Sequence, residues 1–140
     1  MLGKIKKATI KMRSIVDGVS MQSVYRGEYA MNGASHNIVY TDYTGNTVTK
    51  NGIEANAAAM LLHRAGGFEY DMYFDPGSDT VTKYDAFAVK GAFILHTYEY
   101  RVKDMENGLR VFVKYGLNDG SGEEEIRCEQ TITVMWEEAA

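Results

Sequence analysis

The last stretch of the chain alternates strictly. Glu123, Glu125, Arg127, Glu129, Thr131 and Thr133 fall on one side, and Ile126, Cys128, Ile132, Val134 and Trp136 on the other, interrupted only by Gln130. Successive side chains of a β-strand point to opposite faces, so this period predicts one long, half-buried strand. The pattern recurs along almost the whole chain, for example in Phe68, Tyr70, Met72 and Phe74, and in Leu109, Val111, Val113, Tyr115 and Leu117. A chain built this way forms an antiparallel sheet that is closed or nearly closed.

Turn chemistry separates the alternating runs. Asp17-Gly18, Asn32-Gly33, Thr44-Gly45-Asn46, Ala65-Gly66-Gly67, Asp75-Pro76-Gly77, Asn107-Gly108 and the loop Asn118 to Gly122 all carry residues that tolerate positive φ or preset it. Between them the predicted strands are Ile5 to Arg13, Met21 to Ala30, Ser35 to Tyr43, Thr47 to Ile53, Phe68 to Phe74, Thr80 to Val89 (with a break near Asp85), Phe93 to Val102, Leu109 to Leu117, and the final strand. Two places are ambiguous. Asn51-Gly52 reads as a turn or a bulge inside its strand. Glu54 to Ala65 reads as a strand through Met60, Leu62 and Arg64, or as a helix through Ala55, Ala58, Ala59 and Leu62.

Parallel pairing would need long crossovers, and none is present. Nine or ten strands joined in sequence, within a range of about 8–10, therefore predict an all-β, up-and-down antiparallel barrel, in which closure removes adhesive edges. At 140 residues the chain reads as one domain, residues 1–140, large enough for a core. Ten tyrosines suit a sheet with one wet or ligand-facing side, because the ring is apolar and its tip polar.

The order of certain residues resembles the YwiB-like family, small bacterial calycin-like (lipocalin-type) β-barrels. These residues are Gly27-Glu28-Tyr29, Tyr40, Leu62-His63-Arg64-Ala65-Gly66, Met72-Tyr73-Phe74 before Gly77, Tyr84, Tyr115-Gly116-Leu117 and Ile132. The resemblance spans about residues 5 to 136. It implies a barrel around a central cavity and brings no substrate or catalytic residue with it. Two departures stand out: the family's Thr-Gly turn after the Tyr84 position is replaced by Asp85-Ala86-Phe87-Ala88, and Asn56-Ala57-Ala58-Ala59 is unusually rich in alanine.

The residues expected to carry chemistry are few. No phosphate loop, nucleophile elbow or zinc-ligand cluster is present, so no catalytic residue, metal or cofactor is expected. His36, His63 and His96 are scattered along the chain. Cys128 lies on the apolar face of its strand and reads as a buried, inert thiol. As a strand residue, Arg64 shares a face with Met60 and Leu62. It is either a clamp for a carboxylate or phosphate, or a strand-end arginine reaching toward the barrel mouth. Tyr25, Tyr29, Tyr40, Tyr70 and Tyr115 fall on inner faces, where they either fill the core or line a polar-aromatic cavity. Gln130, polar at an inward position, argues against a wholly oily interior. The expected ligand-binding set is Arg64, Tyr25, Tyr40, Tyr70, Tyr115 and Gln130.

The net charge of −4 argues against a nucleic-acid partner, and Lys4, Lys6, Lys7, Lys11 and Arg13 read as the solvated face of the first strand. Glu123-Glu124-Glu125 reads as a solvated strand end. No signal peptide or apolar span is evident, so no membrane partner and a cytoplasmic location are expected. Three functions remain in view: a barrel that binds a small, anionic molecule; a small enzyme of decarboxylase type, the residue types being present without a recognisable arrangement; or a structural barrel that pairs into a homodimer through its outer face.

Overall fold

The computed structural model describes residues 3–43, 46–66, 68–86, 89–120 and 125–137. Ten strands follow one another: β1 (Lys6–Val16), β2 (Val19–Asn32), β3 (Ser35–Asp42), β4 (Thr49–Ala55), β5 (Met60–Gly66), β6 (Phe68–Phe74), β7 (Thr80–Ala86), β8 (Val89–Met105), β9 (Gly108–Asn118) and β10 (Ile126–Trp136). Each is antiparallel to the next, and β10 returns to pair with β1 from Ala8↔Trp136 to Val16↔Cys128, so the sheet is a closed barrel. No helix is present among the described residues, hence none long and apolar enough to cross a membrane.

Turn chemistry sets the hairpins. Asp17 and Gly18 both adopt positive φ (47° and 82°), the requirement of a tight hairpin turn, and this joins β1 to β2. Asn107 (φ 54°) does the same work between β8 and β9, one residue ahead of the expected Asn107-Gly108 pair, because Gly108 already belongs to β9. Strands β1 and β2 run further than expected, to Val16 and from Val19, because the two turn residues are the only break between them.

Both ambiguous segments resolve as strand. Asn51 and Gly52 lie within the unbroken β4, neither turn nor bulge, since both of their neighbours continue the ladder: Gly52 pairs with Val39 and with His63. The span Glu54 to Ala65 holds no helix. It is the end of β4, a turn, and most of β5. The Asn56 Oδ1 accepts from the backbone N–H of Ala58 (2.8 Å) and Ala59 (3.0 Å), so an Asx turn captures the amides that a helix would have used. No break occurs at Asp85: Asp85 and Ala86, the first half of the altered stretch after Tyr84, continue the β7 ladder, and Phe87 and Ala88 lie outside the described residues. Strand β8 begins at Val89 rather than Phe93.

Inside, the core is continuous. Ile10, Ile38, Phe74, Leu95, Leu109, Val111, Val113, Ile132 and Val134 are fully buried. Cys128 is buried within this core, and burial raises its thiol pKa despite the hydrogen bond from the Tyr115 hydroxyl, which keeps it protonated and unreactive. At the end of the barrel where the β2–β3, β4–β5, β6–β7 and β8–β9 turns gather, Tyr29 stacks on Trp136 with ring centres 3.8 Å apart. The Tyr100 hydroxyl donates to the carbonyls of Asn56 (2.6 Å) and Ala59 (3.0 Å), which closes that end.

Candidate functional site

Two neighbouring rings of inward side chains differ sharply. Cross-strand register sets the first: Tyr29↔Ile38↔Ile53↔Leu62↔Met72. Two residues along each strand, about 6.7 Å nearer the other end, register sets the second: Gly27↔Tyr40↔Asn51↔Arg64↔Tyr70, continuing along the backbone to Tyr84 and Gly91. The first ring is apolar apart from one hydroxyl. The second holds phenols, an amide and a guanidinium. Beyond it, toward the Asp17-Gly18 end, the polar Ser14, Ser23, Asp42, Thr49 and Gln130 take inward positions beside the apolar Met12, Val113 and Cys128.

The second ring is tightly knit. The rings of Tyr25 and Tyr40 stack with centres 4.5 Å apart. Arg64 lies 5.4 Å over the face of Tyr70, a cation–π arrangement, and hydrogen-bonds to the Tyr40 hydroxyl. The Tyr40 hydroxyl donates to the Met12 sulfur at 3.1 Å, and that of Tyr25 reaches Asp42 Oδ2 at 3.4 Å. Gly27 makes room: a Cβ there would collide with the Val39 carbonyl and lie 2.9 Å from the Tyr40 Cβ, so only glycine lets β2 approach at this height.

Burial pushes the Tyr40 hydroxyl up to about 12, although the Arg64 charge pulls the other way. Tyr70 and Tyr115 are raised for the same first reason. These phenols therefore stay protonated at neutral pH and act as hydrogen-bond donors rather than bases.

Arg64 is half-buried and inward, and among the described residues no carboxylate ion-pairs with it. A guanidinium held, among the described residues, by neutral partners leaves charge and donors available in a partly desolvated site. Next to it Asn51 is buried. Its Nδ2 donates to the Thr49 carbonyl at 3.2 Å, while its Oδ1 has no partner among the described residues. An unpaired buried acceptor costs about 1–3 kcal/mol.

Of the six residues expected to bind ligand, Arg64, Tyr25, Tyr40 and Tyr70 come together. Tyr115, buried, reaches them electrostatically and packs edge-on against Phe74, with ring centres 4.8 Å apart. Gln130 does not join: it is half-buried on another wall, in register with Ser14 and Val113. Tyr29, also expected inward, serves the Trp136 stack and hydrogen-bonds His36 at 2.7 Å. Asn51 was masked in the sequence by its Asn-Gly turn signature; the alternation Thr49, Asn51, Ile53, Ala55 is the signal that finds it.

Each histidine pairs with an aspartate: His36, inward and largely buried on β3, with Asp104 of β8 (3.6 Å), and on the outer surface His96 with Asp79 (2.5 Å) and His63 with Asp71 of the adjacent β6. Among the described residues no cluster of metal-ligating side chains forms. Glu125 is not a free strand end: it accepts from the Tyr98 hydroxyl (2.6 Å) and pairs with Arg127 (2.6 Å), while Glu123 and Glu124 lie outside the described residues.

The model of a domain of unknown function, DUF1934, matches residues 5–132. No curated protein matches the sequence. The crystal structure of the ywiB protein from Bacillus subtilis superposes with a TM-score of 0.81 at 18% identity, covering 97% of this chain and 95% of that one. At that identity the likeness carries the fold alone.

Proposed function

We propose that this chain, which belongs to the DUF1934 family, is a small-molecule-binding barrel of calycin type whose polar half seats an anionic ligand on Arg64. The observation that supports it most is the inward guanidinium that no carboxylate meets among the described residues, directly in register with the Asn51 Oδ1, unsatisfied among them. Arg64 takes a carboxylate or phosphate, and Asn51 Oδ1 takes a hydrogen-bond donor such as a hydroxyl. The stacked Tyr25 and Tyr40 and the Tyr70 face then pack an apolar or aromatic body. The protonated phenols supply donors and no base, which favours binding over turnover. A single reduced cysteine fits work in a reducing compartment such as the cytoplasm.

The test is Arg64→Met, which preserves length and removes the charge. Calorimetric titration with salicylate, which pairs a carboxylate with a hydroxyl, should show binding to the unaltered protein and at least a tenfold loss in the variant. Benzoate, lacking the hydroxyl, should bind more weakly than salicylate. Equal binding of salicylate by both proteins, or no binding by either, would remove this role from Arg64.

A further inference from the structure

The outer wall carries a second, unrelated feature. Across strands β2, β1, β10, β9 and β8 runs a groove of about 850 Å³ whose walls include Lys11, Arg13, Arg101, Lys103, Arg110 and Phe112. All five cations are exposed. Register arranges them in two adjacent rows: Arg13↔Thr131↔Phe112↔Arg101, and Lys11↔Thr133↔Arg110↔Lys103. No acidic side chain among the described residues lines the groove. Among the described residues only Glu99 ion-pairs with any of the five, meeting Arg101 at 3.3 Å.

This concentration is at odds with the rest of the molecule. The whole chain has 15 Lys and Arg against 19 Asp and Glu. Removing the groove's five leaves 10 against 19, so the remainder carries −9 while the groove carries +5. Lys103 and Arg110 stand directly opposite each other in the β8–β9 ladder, a like-charge pair that destabilises a sheet unless an anion lies between. A second copy docked by a two-fold axis would set this groove against itself, cation on cation, so the complementary partner is a different polyanion.

We propose that this outer groove binds single-stranded nucleic acid, independently of the interior site. Three arginines and two lysines suit phosphates, the arginines bidentately. The hydroxyls of Thr131 and Thr133 flank them, and Arg110 Nε already donates to Thr133 Oγ1 at 3.3 Å. The Arg101 guanidinium lies 4.9 Å over the Phe112 ring, giving a stacked arginine–aromatic platform in the middle of the groove on which a base can rest. An acidic polypeptide would use the cations and leave that platform idle. Net charge alone does not reveal the groove, because its five cations come from β1 and from the β8–β9 hairpin, far apart in sequence.

Fluorescence anisotropy of a short fluorescein-labelled oligothymidylate, titrated with the full chain, tests this. Saturable binding is expected, with log K falling against log salt at a slope of about −3.5 if all five cations meet phosphates. Lys103→Glu with Arg110→Glu should weaken it more than tenfold with unchanged thermal unfolding. Phe112→Ala, or Phe112→Leu if the alanine variant unfolds, should weaken it severalfold, and Arg64→Met should leave it unchanged. No binding at low salt would overturn the proposal, as would indifference to the Lys103 and Arg110 reversals. Competition by polyglutamate as effective as by unlabelled oligothymidylate, with no effect of Phe112 substitution, would assign the groove to an acidic polypeptide and overturn it as well.

Discussion

The barrel's two halves are built from the same strands in the same register, yet they are made for different tasks. In the half nearer the chain's termini, Ile10, Ile38, Ile53, Met60, Phe74, Leu109, Ile132 and Val134 are sealed from solvent. In the other half, Tyr25, Arg64, Tyr70 and Gln130 are only half-buried, and Asn51 is buried with an orphaned acceptor. The boundary is one step of two residues: Ile38 to Tyr40, Ile53 to Asn51, Leu62 to Arg64, Met72 to Tyr70. Burial of the apolar half supplies the stability, which frees the polar half to hold charge and unsatisfied groups that a core would reject.

The contrast breaks most visibly at Phe74. Phe74→Ala removes a fully buried ring that packs against Tyr115 and should cost about 3–5 kcal/mol in urea unfolding. A loss below 1 kcal/mol would mean the apolar half does not carry the fold.

High pH attacks from the other side. The raised tyrosines bind a proton more tightly folded than unfolded, so their contribution is whole below pH 10 and is lost as pH climbs through the folded values. For Tyr40 that window runs from 10.0 to about 12, worth on the order of 2–3 kcal/mol at its top. Unfolding followed by tyrosinate absorbance should be steep there, and shallower in Tyr40→Phe.

Gly27 marks the seam between the halves. Gly27→Ala forces the new methyl against the Val39 carbonyl and Ile10 Cδ1, with an expected cost of about 1–3 kcal/mol and a loosened Tyr25–Tyr40 stack visible as altered near-ultraviolet dichroism. A neutral result would show that β2 can shift without disturbing the ring.

Asn51→Leu should be the mildest change. It removes a buried amide whose acceptor is unpaired, so stability should stay within about 1 kcal/mol of the unaltered protein or rise. A large loss in thermal unfolding would show that Asn51 is structural and sharpen the site down to Arg64 alone.

The sequence revealed the apolar half more clearly than the polar one. Period-two runs such as Leu109 to Leu117 and the row that ends at Trp136 identified inward faces, and the Asp17-Gly18 turn fixed its hairpin, because both signals are local. Arg64 and its tyrosines were legible once that segment was read as strand. Asn51 was not, because Asn-Gly looks like a turn whether or not the chain turns there. The outer groove was illegible because Lys11 and Arg13 meet the β8–β9 hairpin's Arg101, Lys103 and Arg110 only when β10 closes between β1 and β9, and sheet closure is not written in any single stretch. Gln130 shows the converse: its parity was right, but parity does not say which wall of a barrel a side chain stands on.

The division of labour between the halves is tested most directly by backbone amide chemical-shift mapping during a salicylate titration. Shifts should cluster on Tyr25, Tyr40, Asn51, Arg64 and Tyr70, leaving Ile10, Phe74, Leu109 and Ile132 in place. They should vanish in Arg64→Met. Shifts spread over the apolar half, confined to the outer wall, or unchanged by the loss of Arg64 would contradict it.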